Sequence, residues 1–385
     1  MNVRLIPCYR RLATALLSDG PWRIAPFRAM AQDRTNCAGG VHRAEDFTGA
    51  IVRAPAESIV YESAHALLGQ DPSGEMLANG PRYRPHGLVL AEPKIVYSLA
   101  DAGIAMPDGV VYCPRTRRAV AETVRCWTQP VHQHPLLNAP RFPRARPLAG
   151  CTLSLLTLSA EGFYHFLVEA LPRLRLVEDL LPHIDHVLAN GSSDGFQEQW
   201  LLHAGVPREK ILWADGLTHY RCEQLLFCSS LIADCQPGAW LRDSLQALCR
   251  TPRHTVSRRW LWISRKDAAS RHLTWEDELL AHFPQFEKVT LAGRPPSEQI
   301  ALFAEASVVA GPHGAGLANL LFAPRGVKLV EFFPNSRIAP LYGRCAQIAG
   351  GQAAWAWTDF SHPTDLDRLL PALRDFLGAP AVARE

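Results

Sequence analysis

Hydrophobic residues recur along the chain with two spacings that predict alternating strands and helices. Cys151 to Leu158 is a short apolar run typical of a buried strand, and the segment FYHFLVEALPRLRLVEDLL after it has apolar residues at helical spacing. The next block, HVLANGSS followed by QEQWLLHAGVPREKILWA, repeats the order of strand, helix and strand. Strands that alternate with helices in this way predict a parallel α/β sheet.

The second half of the chain repeats this order with clearer boundaries. The pattern predicts helices over 241–248, 297–306 and 317–322, and strands over 259–263, 307–310 and 327–333. The strand over 307–310, the helix over 317–322 and the strand over 327–333 form a βαβ crossover. A final helix is predicted to begin after Thr364 as its cap, where Asp365 and Asp367 suit the helix dipole, so we reject this Asp-x-Asp as a metal site.

Upstream, residues 58–158 contain short apolar runs such as Gly87 to Leu90 and Lys94 to Leu99 between Pro-rich turns, which predicts strands and loops. We therefore expect an N-terminal extension over 1–55, one α/β domain over 56–238 and a second over 239–385. The predicted architecture is two Rossmann-like domains that face a cleft, with ligands at the carboxyl ends of the strands.

Composition narrows the class of protein. The 385 residues are 48% hydrophobic and 20% charged, which excludes a largely disordered chain. The net charge of +3 comes from 40 basic and 37 acidic residues spread through the sequence, so no nucleic-acid partner is expected. Ten cysteines at irregular positions, Cys235 among them, lack zinc-site spacing and are predicted to be reduced, mostly buried thiols.

Nothing in the sequence has the length and composition of a signal peptide or a membrane-spanning segment. We expect a soluble protein located in the cytoplasm. Arg10 to Leu17 can form a short basic amphipathic helix that touches the inner membrane, although a surface helix or a frayed terminus explains the same pattern.

The loop GPHGAG lies between a predicted strand and a predicted helix, where backbone N–H groups and the helix dipole favour an anion. Gly314 and Gly316 allow close approach of a diphosphate, and His313 can donate a hydrogen bond to it. The loop matches neither G-x-G-x-x-G nor a Walker sequence. A tight turn without a ligand is the alternative explanation.

Charged residues follow the neighbouring predicted strands. Ser264 and Arg265 come directly after the strand RWLWI, and Arg271 follows six residues later, so the two arginines can neutralise a departing diphosphate. Glu331 is predicted to end the strand VKLVEFF, where it can accept hydrogen bonds from ribose hydroxyls. A solvated loop for the arginines and a salt bridge from Glu331 to an arginine remain alternatives.

His165 and Glu169 are four residues apart on the predicted helix after Cys151 to Leu158, so they share one face. A carboxylate beside an imidazole can hold its tautomer, and either group can accept a proton from an attacking hydroxyl. A structural histidine is the simpler alternative. Two ligands without a third do not make a zinc site.

Together, GFYHFLVEALPRL, WISRKDAASRHL and SEQIALFAEASVVAGPHGAGLANLLFAPRGVKLVEFFP resemble glycosyltransferase family 61 in sequence and order. The resemblance spans about Cys151 to Pro334 and is strongest at GPHGAGLANLLF. It implies a GT-B fold, a nucleotide-sugar donor, inversion at the anomeric carbon, and no obligatory metal.

Carried over by position, the resemblance assigns catalysis to His165 and Glu169 and places a tyrosine of the family at Tyr164. It assigns donor binding to Ser264, Arg265, Arg271, His313, Gly314, Ala315, Gly316, Asn319 and Glu331. Bacterial members often continue with an Asn-Glu pair after the second arginine, whereas this chain has Trp275 and Glu276.

The sequence therefore predicts an inverting, metal-independent glycosyltransferase of surface or capsular polysaccharide biosynthesis, with Glu169, through or alongside His165, as the general base. The expected donor is a nucleoside diphosphate sugar such as a UDP-sugar, no further cofactor is expected, and the acceptor is a glycan or lipid-linked glycan. A pyruvyl or sulfuryl transferase and a non-catalytic nucleotide-binding protein are the alternatives.

Overall fold

The computed structural model describes residues 18–19, 23–25, 49–61, 64–68, 87–106, 108–115, 118–124, 134, 141–142, 144–216, 218–232, 237–252, 259–334 and 341–378. The expectations for residues 10–17 and for Cys235 lie outside them. The chain divides into two compact units. The first unit comprises Met1–Ala56 and Glu92–Leu231, and the second unit comprises Glu57–Ala91 and Ile232–Glu385.

The strands, in chain order, are β1 (Ser18–Asp19), β2 (Arg23–Ala25), β3 (Ala50–Ala54), β4 (Glu57–Tyr61), β5 (His65–Leu68), β6 (Gly87–Ala91), β7 (Lys94–Ala105), β8 (Val110–Cys113), β9 (Arg118–Val120), β10 (Arg141–Phe142), β11 (Ala145–Ser154), β12 (His186–Ala189), β13 (Ile211–Trp213), β14 (His219–Cys228), β15 (Arg259–Ile263), β16 (Phe286–Val289), β17 (Ala306–Pro312), β18 (Lys328–Pro334) and β19 (Gln352–Thr358).

The α-helices are α1 (Phe163–His165), α2 (Arg173–Leu176), α3 (Phe196–His203), α4 (Ala239–Leu248), α5 (Glu276–Ala281), α6 (Pro296–Ala304), α7 (Leu341–Ile348) and α8 (Leu366–Leu377). A π-helical turn spans Phe166–Ala170, and 3-10 helices span Ala121–Thr123, Leu181–His183, Arg208–Lys210 and Ala315–Phe322. Among the described residues, no helix combines the length and apolar character needed to cross a bilayer.

The first unit is built on a mixed sheet in the order β13-β12-β11-β14-β7-β8-β9-β2, with β3 also paired to β7. Its first four strands are parallel, as the alternation of strands and helices predicts. β7 joins β14 and β8 in antiparallel pairs, so the region predicted as strands and loops extends the same sheet. β1 pairs with β10 in a separate antiparallel ribbon.

The second unit contains a parallel sheet whose described strands have the order β16-β15-β17-β18-β19-β5. β15, β17 and β18 are mostly buried apolar runs, which is typical of parallel strands covered on both faces. Helix α8 buries five leucines against a core that includes Trp262 and Phe332. β4 and β6 pair as a separate antiparallel ribbon.

The helix predicted after β11 is interrupted. It begins at Phe163 but widens at the π-helical turn, where the Leu171 N–H donates to the Phe166 carbonyl oxygen at 2.9 Å. Pro172, which lacks an N–H, then precedes the short helix α2. The single long helix predicted from the apolar spacing is therefore wrong, because periodicity does not reveal an inserted residue in a turn.

Three predicted details of the second unit are also corrected. The helix after GPHGAG is a 3-10 helix, in which the Leu317 N–H donates to the Gly314 carbonyl oxygen at 3.0 Å. Glu331 lies inside β18 rather than at its end, because pairing with β19 continues to Pro334. Thr364 does not cap the last helix, since α8 begins after Asp365 and no side chain there makes a capping bond.

Candidate functional site

The carboxyl ends of three neighbouring parallel strands carry most of the predicted donor-binding residues. β17 lies between β15 and β18, with Gly311 paired to Glu331 in register. Arg265 follows β15 by two residues, and His313 follows β17 directly. This edge of a parallel sheet is where α/β proteins bind ligands.

His313 and Glu331 form a buried hydrogen-bonded pair. His313 Nδ1 lies 2.5 Å from Glu331 Oε1, and the exposed fractions of the two side chains are 11% and 3%. The imidazole stacks on Phe333 at a centroid distance of 5.0 Å, and the His313 N–H donates to the Phe332 carbonyl oxygen at 2.8 Å. These contacts hold the ring in one orientation, so its Nε2 atom is the nitrogen available to a ligand.

Burial raises the pKa of Glu331, and the positive charges of His313 and Arg271 oppose that shift. The raised pKa favours the protonated carboxyl group, which can donate its hydrogen to His313 Nδ1. If Glu331 is the neutral acid and donates its O–H to Nδ1, the neutral imidazole carries its own hydrogen on Nε2, which then acts as a donor. A histidine in that state can bind a phosphate oxygen.

Arg265 is half-buried and packs against the GPHGAG loop. A Cβ atom added to Gly314 would overlap with Arg265 Nη1, so the glycine is required for the guanidinium to lie there. Arg265 Nε donates to the Ser270 carbonyl oxygen at 3.1 Å. The sequence predicted these residues as separate parts of one site, and the structure brings them into contact.

The two arginines repel each other. Burial lowers the pKa of Arg265, and the charge of Arg271 lowers it further. Arg271 is exposed and has a backbone φ of 60°, a left-handed conformation that costs a non-glycine residue free energy. An anion that binds near both guanidinium groups offsets their repulsion.

Tyr342, at the second position of α7, belongs to the same cluster, although nothing in the sequence singled it out. Its ring contacts His313 at a centroid distance of 5.1 Å. Burial raises the pKa of Tyr342, as does the nearby charge of Glu331, whereas Arg271 and Arg265 lower it. The tyrosine is thus a neutral phenol close to both arginines. Arg265 and Tyr342 are 77 positions apart in the sequence, so the sequence alone does not indicate that they meet.

Other predicted donor-binding residues have partners inside the protein. Asn319 is fully buried, and its Nδ2 donates to Gln299 Oε1 at 3.1 Å and to the Gly316 carbonyl oxygen at 3.0 Å. A Cβ on Gly316 would meet Leu291 Cδ1 at 2.7 Å. Ala315 is partly exposed at the start of the 3-10 helix. These residues fix the path of the loop.

Ser264 likewise has internal partners. Its Oγ donates to Glu276 Oε1 at 2.8 Å and accepts a hydrogen bond from the Lys266 N–H at 3.2 Å. Glu276 is 2% exposed and was not assigned a role from the sequence. Trp275, where family members often have asparagine, is buried and donates from Nε1 to the Asp359 carbonyl oxygen at 2.9 Å, which anchors the segment.

A second cluster, in the first unit, contains His165 and Glu169. His165 Nδ1 lies 2.8 Å from Glu169 Oε1, which agrees with the predicted i,i+4 contact. Thr157 Oγ1 donates to Glu169 Oε2 at 3.3 Å. The Glu169 side chain is 4% exposed and that of His165 is 21% exposed. Both carboxylate oxygens therefore have partners, and the imidazole is the more accessible group.

Backbone and side-chain contacts hold this pair in place. The Thr157 N–H donates to Asn190 Oδ1 at 3.1 Å, which ties the end of the β11 segment to the segment after β12. Arg173 Nη1 donates to the Leu156 carbonyl oxygen at 2.9 Å. The π-helical turn places Glu169 between these elements, and such turns are frequent at functional sites.

Among the described residues, no three His, Cys, Asp or Glu side chains are grouped so that they could hold a metal ion. The described cysteines Cys113, Cys151, Cys222, Cys228, Cys249 and Cys345 are free and buried. Burial raises the pKa of the Cys151 and Cys222 thiols to about 12. These thiols stay protonated at neutral pH and contribute to the core, as predicted for reduced cysteines.

Comparison with known proteins agrees with the resemblance in the sequence. The family model Glycosyltransferase 61 matches residues 163–330, which include both clusters except for Glu331 and Tyr342. No curated protein matches the chain.

Proposed function

Residues 163–330 belong to glycosyltransferase family 61, and on that basis we propose that the protein transfers a sugar from a nucleoside diphosphate sugar to a hydroxyl group of a glycan acceptor. Family membership implies a glycosyltransferase with a sugar donor and an acceptor. The diphosphate donor, the roles of individual residues and inversion are our proposals.

The observation that supports a diphosphate donor best is the cation pair beside the GPHGAG loop. Arg265 is held against Gly314, and the neighbouring charge of Arg271 lowers the pKa of Arg265. A bound diphosphate relieves this repulsion, and each guanidinium can bind phosphate oxygens in a bidentate manner. The ribose hydroxyls that the sequence predicts at Glu331 are a weaker assignment, because Glu331 Oε1 is bonded to His313 and the side chain is 3% exposed.

We assign leaving-group stabilisation to Arg265, Arg271 and His313. As the bond between the anomeric carbon and the phosphate oxygen breaks, that oxygen gains negative charge. Preorganised donors aimed at developing charge lower the barrier, and this is the electrostatic task of Mg²⁺ in other nucleotide-dependent enzymes. The guanidinium pair supports a metal-independent reaction, with Ser264, Gly316 and Asn319 holding the backbone that carries it.

We assign the general base to His165 and a positioning role to Glu169. If Nδ1–H donates to Glu169, Nε2 has a lone pair and can accept the proton of the acceptor hydroxyl. The imidazolium formed is then stabilised by the buried carboxylate. In one displacement the hydroxyl oxygen bonds to the anomeric carbon, the diphosphate leaves with the bonding electrons, and the configuration inverts.

The family resemblance extends the proposal further. A GT-B-like organisation assigns the donor to the second unit and the acceptor-side base to the first. A UDP-sugar is the proposed donor, a glycan or lipid-linked glycan is the proposed acceptor, and surface polysaccharide synthesis in the cytoplasm or at the inner membrane is the proposed setting.

Thermal-shift screening of nucleoside diphosphates and their sugar derivatives, with and without EDTA, tests the proposal directly. A ligand that binds only the folded protein raises its melting temperature by mass action. We expect a shift with one diphosphate class that EDTA leaves unchanged and that Arg265→Ala reduces. Absence of binding by every nucleoside diphosphate would refute the donor assignment, and a requirement for Mg²⁺ or Mn²⁺ would refute metal independence.

A further inference from the structure

A buried carboxylate is hydrogen-bonded to Ser264, the residue before the arginine that we assign to the leaving group. Glu276 is the first residue of α5 and is 2% exposed. Its Oε1 accepts from Ser264 Oγ at 2.8 Å, and its Oε2 accepts from Trp262 Nε1 at 2.8 Å. Lys288 Nζ on β16 lies 2.8 Å from Oε1 and supplies the opposite charge.

Burial of this carboxylate is costly unless each oxygen has a partner, and the three donors meet that requirement. Burial lowers the pKa of Lys288, but the bonds to Asp277 and Glu276 together outweigh burial and raise the pKa, so the ammonium remains charged. The partners of Glu276 come from β15, from the residue after β15 and from β16. The network therefore joins the ends of two strands to the start of a helix.

The network controls the backbone on both sides of Arg265. Ser264 is held by its hydroxyl at Glu276 and by its N–H, which donates to the Val289 carbonyl oxygen at 2.8 Å. Lys266 is held by its N–H, which donates to the same Ser264 hydroxyl at 3.2 Å. Arg265 lies between these fixed residues, and its guanidinium reaches Gly314.

We propose that Glu276 is a positioning residue: through the Ser264 hydroxyl it sets the backbone from which Arg265 presents its guanidinium to the diphosphate. The proposal rests on the proposed function of the Arg265 site. Glu276 does not touch the ligand. In this proposal its effect on binding passes through Ser264 to Arg265, which distinguishes it from a residue that only stabilises the fold.

A double-mutant cycle on diphosphate binding tests this inference. Dissociation constants of UDP, GDP, CDP and ADP are measured by calorimetry for the full chain and for E276Q, R265A and the double variant, with melting temperatures recorded in parallel. We expect E276Q to weaken binding about tenfold in the wild-type background and less than about twofold in the R265A background, since residues that act through one another are not additive.

Two further variants control the experiment. E278Q alters an exposed acid of the same helix that makes no hydrogen bond to Ser264, Trp262 or Lys288 in the described structure, and it should bind like the wild type. S264A removes the proposed link while keeping the carboxylate and its lysine. If E276Q does not fold, the double-mutant cycle between S264A and R265A tests the proposal instead. The effects of these two substitutions on diphosphate binding should also be non-additive.

The possible outcomes separate the two proposals. If the wild type binds none of the four diphosphates, the proposed function fails. If R265A weakens binding while E276Q and S264A bind like the wild type, the function stands and the inference about Glu276 is wrong. The inference about Glu276 is also wrong if E276Q and R265A weaken binding additively, because additive effects show that Glu276 acts independently of the arginine.

Discussion

The guanidinium of Arg265 occupies the space that a side chain on Gly314 would take. The two residues are far apart in sequence, yet the glycine leaves room for the cation, and the cation brings positive charge to the loop. The contact joins a strand-end arginine and a glycine-rich turn in the surface that we propose to bind the diphosphate.

This contact predicts that Gly314→Ala behaves like an arginine variant. The added methyl group displaces Arg265 Nη1, so we expect a loss of about 10² to 10³ in kcat, the usual cost of one preorganised donor. Gly343→Ala is the matched control, because a Cβ there meets only Ala353 Cβ at 3.4 Å within the described structure. Sugar-transfer rates of both variants check the prediction, and wild-type turnover in Gly314→Ala would contradict it.

The second prediction concerns the pair in the first unit. His165→Ala should lower kcat by about 10² to 10⁴, the contribution of a positioned base, while diphosphate binding stays unchanged. Glu169→Gln should cause a smaller loss, because it keeps a side chain of the same shape but no longer stabilises the imidazolium. His183→Ala replaces an exposed histidine of the same unit and serves as the control. A Glu169→Gln variant much less active than His165→Ala would instead make the carboxylate the base.

Replacement of Arg271 by glycine should weaken diphosphate binding without lowering the stability of the fold. The left-handed backbone at Arg271 suits glycine, so Arg271→Gly should not lower the free energy of unfolding and can raise it by up to about 1 kcal/mol. Diphosphate binding should weaken, because one of the two cations is lost. Arg250→Gly offers the matched control: Arg250 follows α4 with a φ of 51°, and its replacement should relieve the same strain without affecting binding. Denaturant titration measures the free energy of unfolding, and calorimetry measures diphosphate binding. An Arg271→Gly protein that is less stable than the wild type would show that the backbone at Arg271 is not strained.

Glu331→Gln tests the cost of the buried acid. Burial raises the pKa of Glu331 above 4.5, so the neutral acid stabilises the fold below that pH and the stabilisation is lost as pH rises through the raised pKa. Glutamine is neutral at every pH. We therefore expect the variant to melt at or above the wild-type melting temperature at about pH 7.5. The difference between the two melting temperatures should vanish towards about pH 4.5.

The same variant should bind diphosphate more weakly than the wild type, because an amide cannot share a proton with His313 or balance its charge. Melting curves across pH, with and without UDP, measure both effects. A Glu331→Gln protein that is less stable at neutral pH would show that the ion pair outweighs the cost of burial.

Local sequence was sufficient for the elements that carry the donor-side cluster. β15 matches its predicted bounds, and the ends of β17 and β18 lie within two residues of the predicted ends. These strands were predictable because a continuous apolar run between turn residues is typical of a buried parallel strand. The i,i+4 contact of His165 and Glu169 was likewise predictable from spacing alone. The resemblance to glycosyltransferase family 61 also came from the sequence, and the family model matches residues 163–330.

Only the tertiary structure decided which side chains meet. The important contacts join residues from different elements: His313 with Glu331, His313 with Tyr342, and Ser264 with Glu276. These contacts depend on strand register and helix packing. The π-helical turn at Glu169 was equally hidden, since one extra residue in a turn leaves the hydrophobic pattern almost unchanged. Residue types and their order are local properties, whereas the partners of a buried charge are set by whatever the fold packs around it.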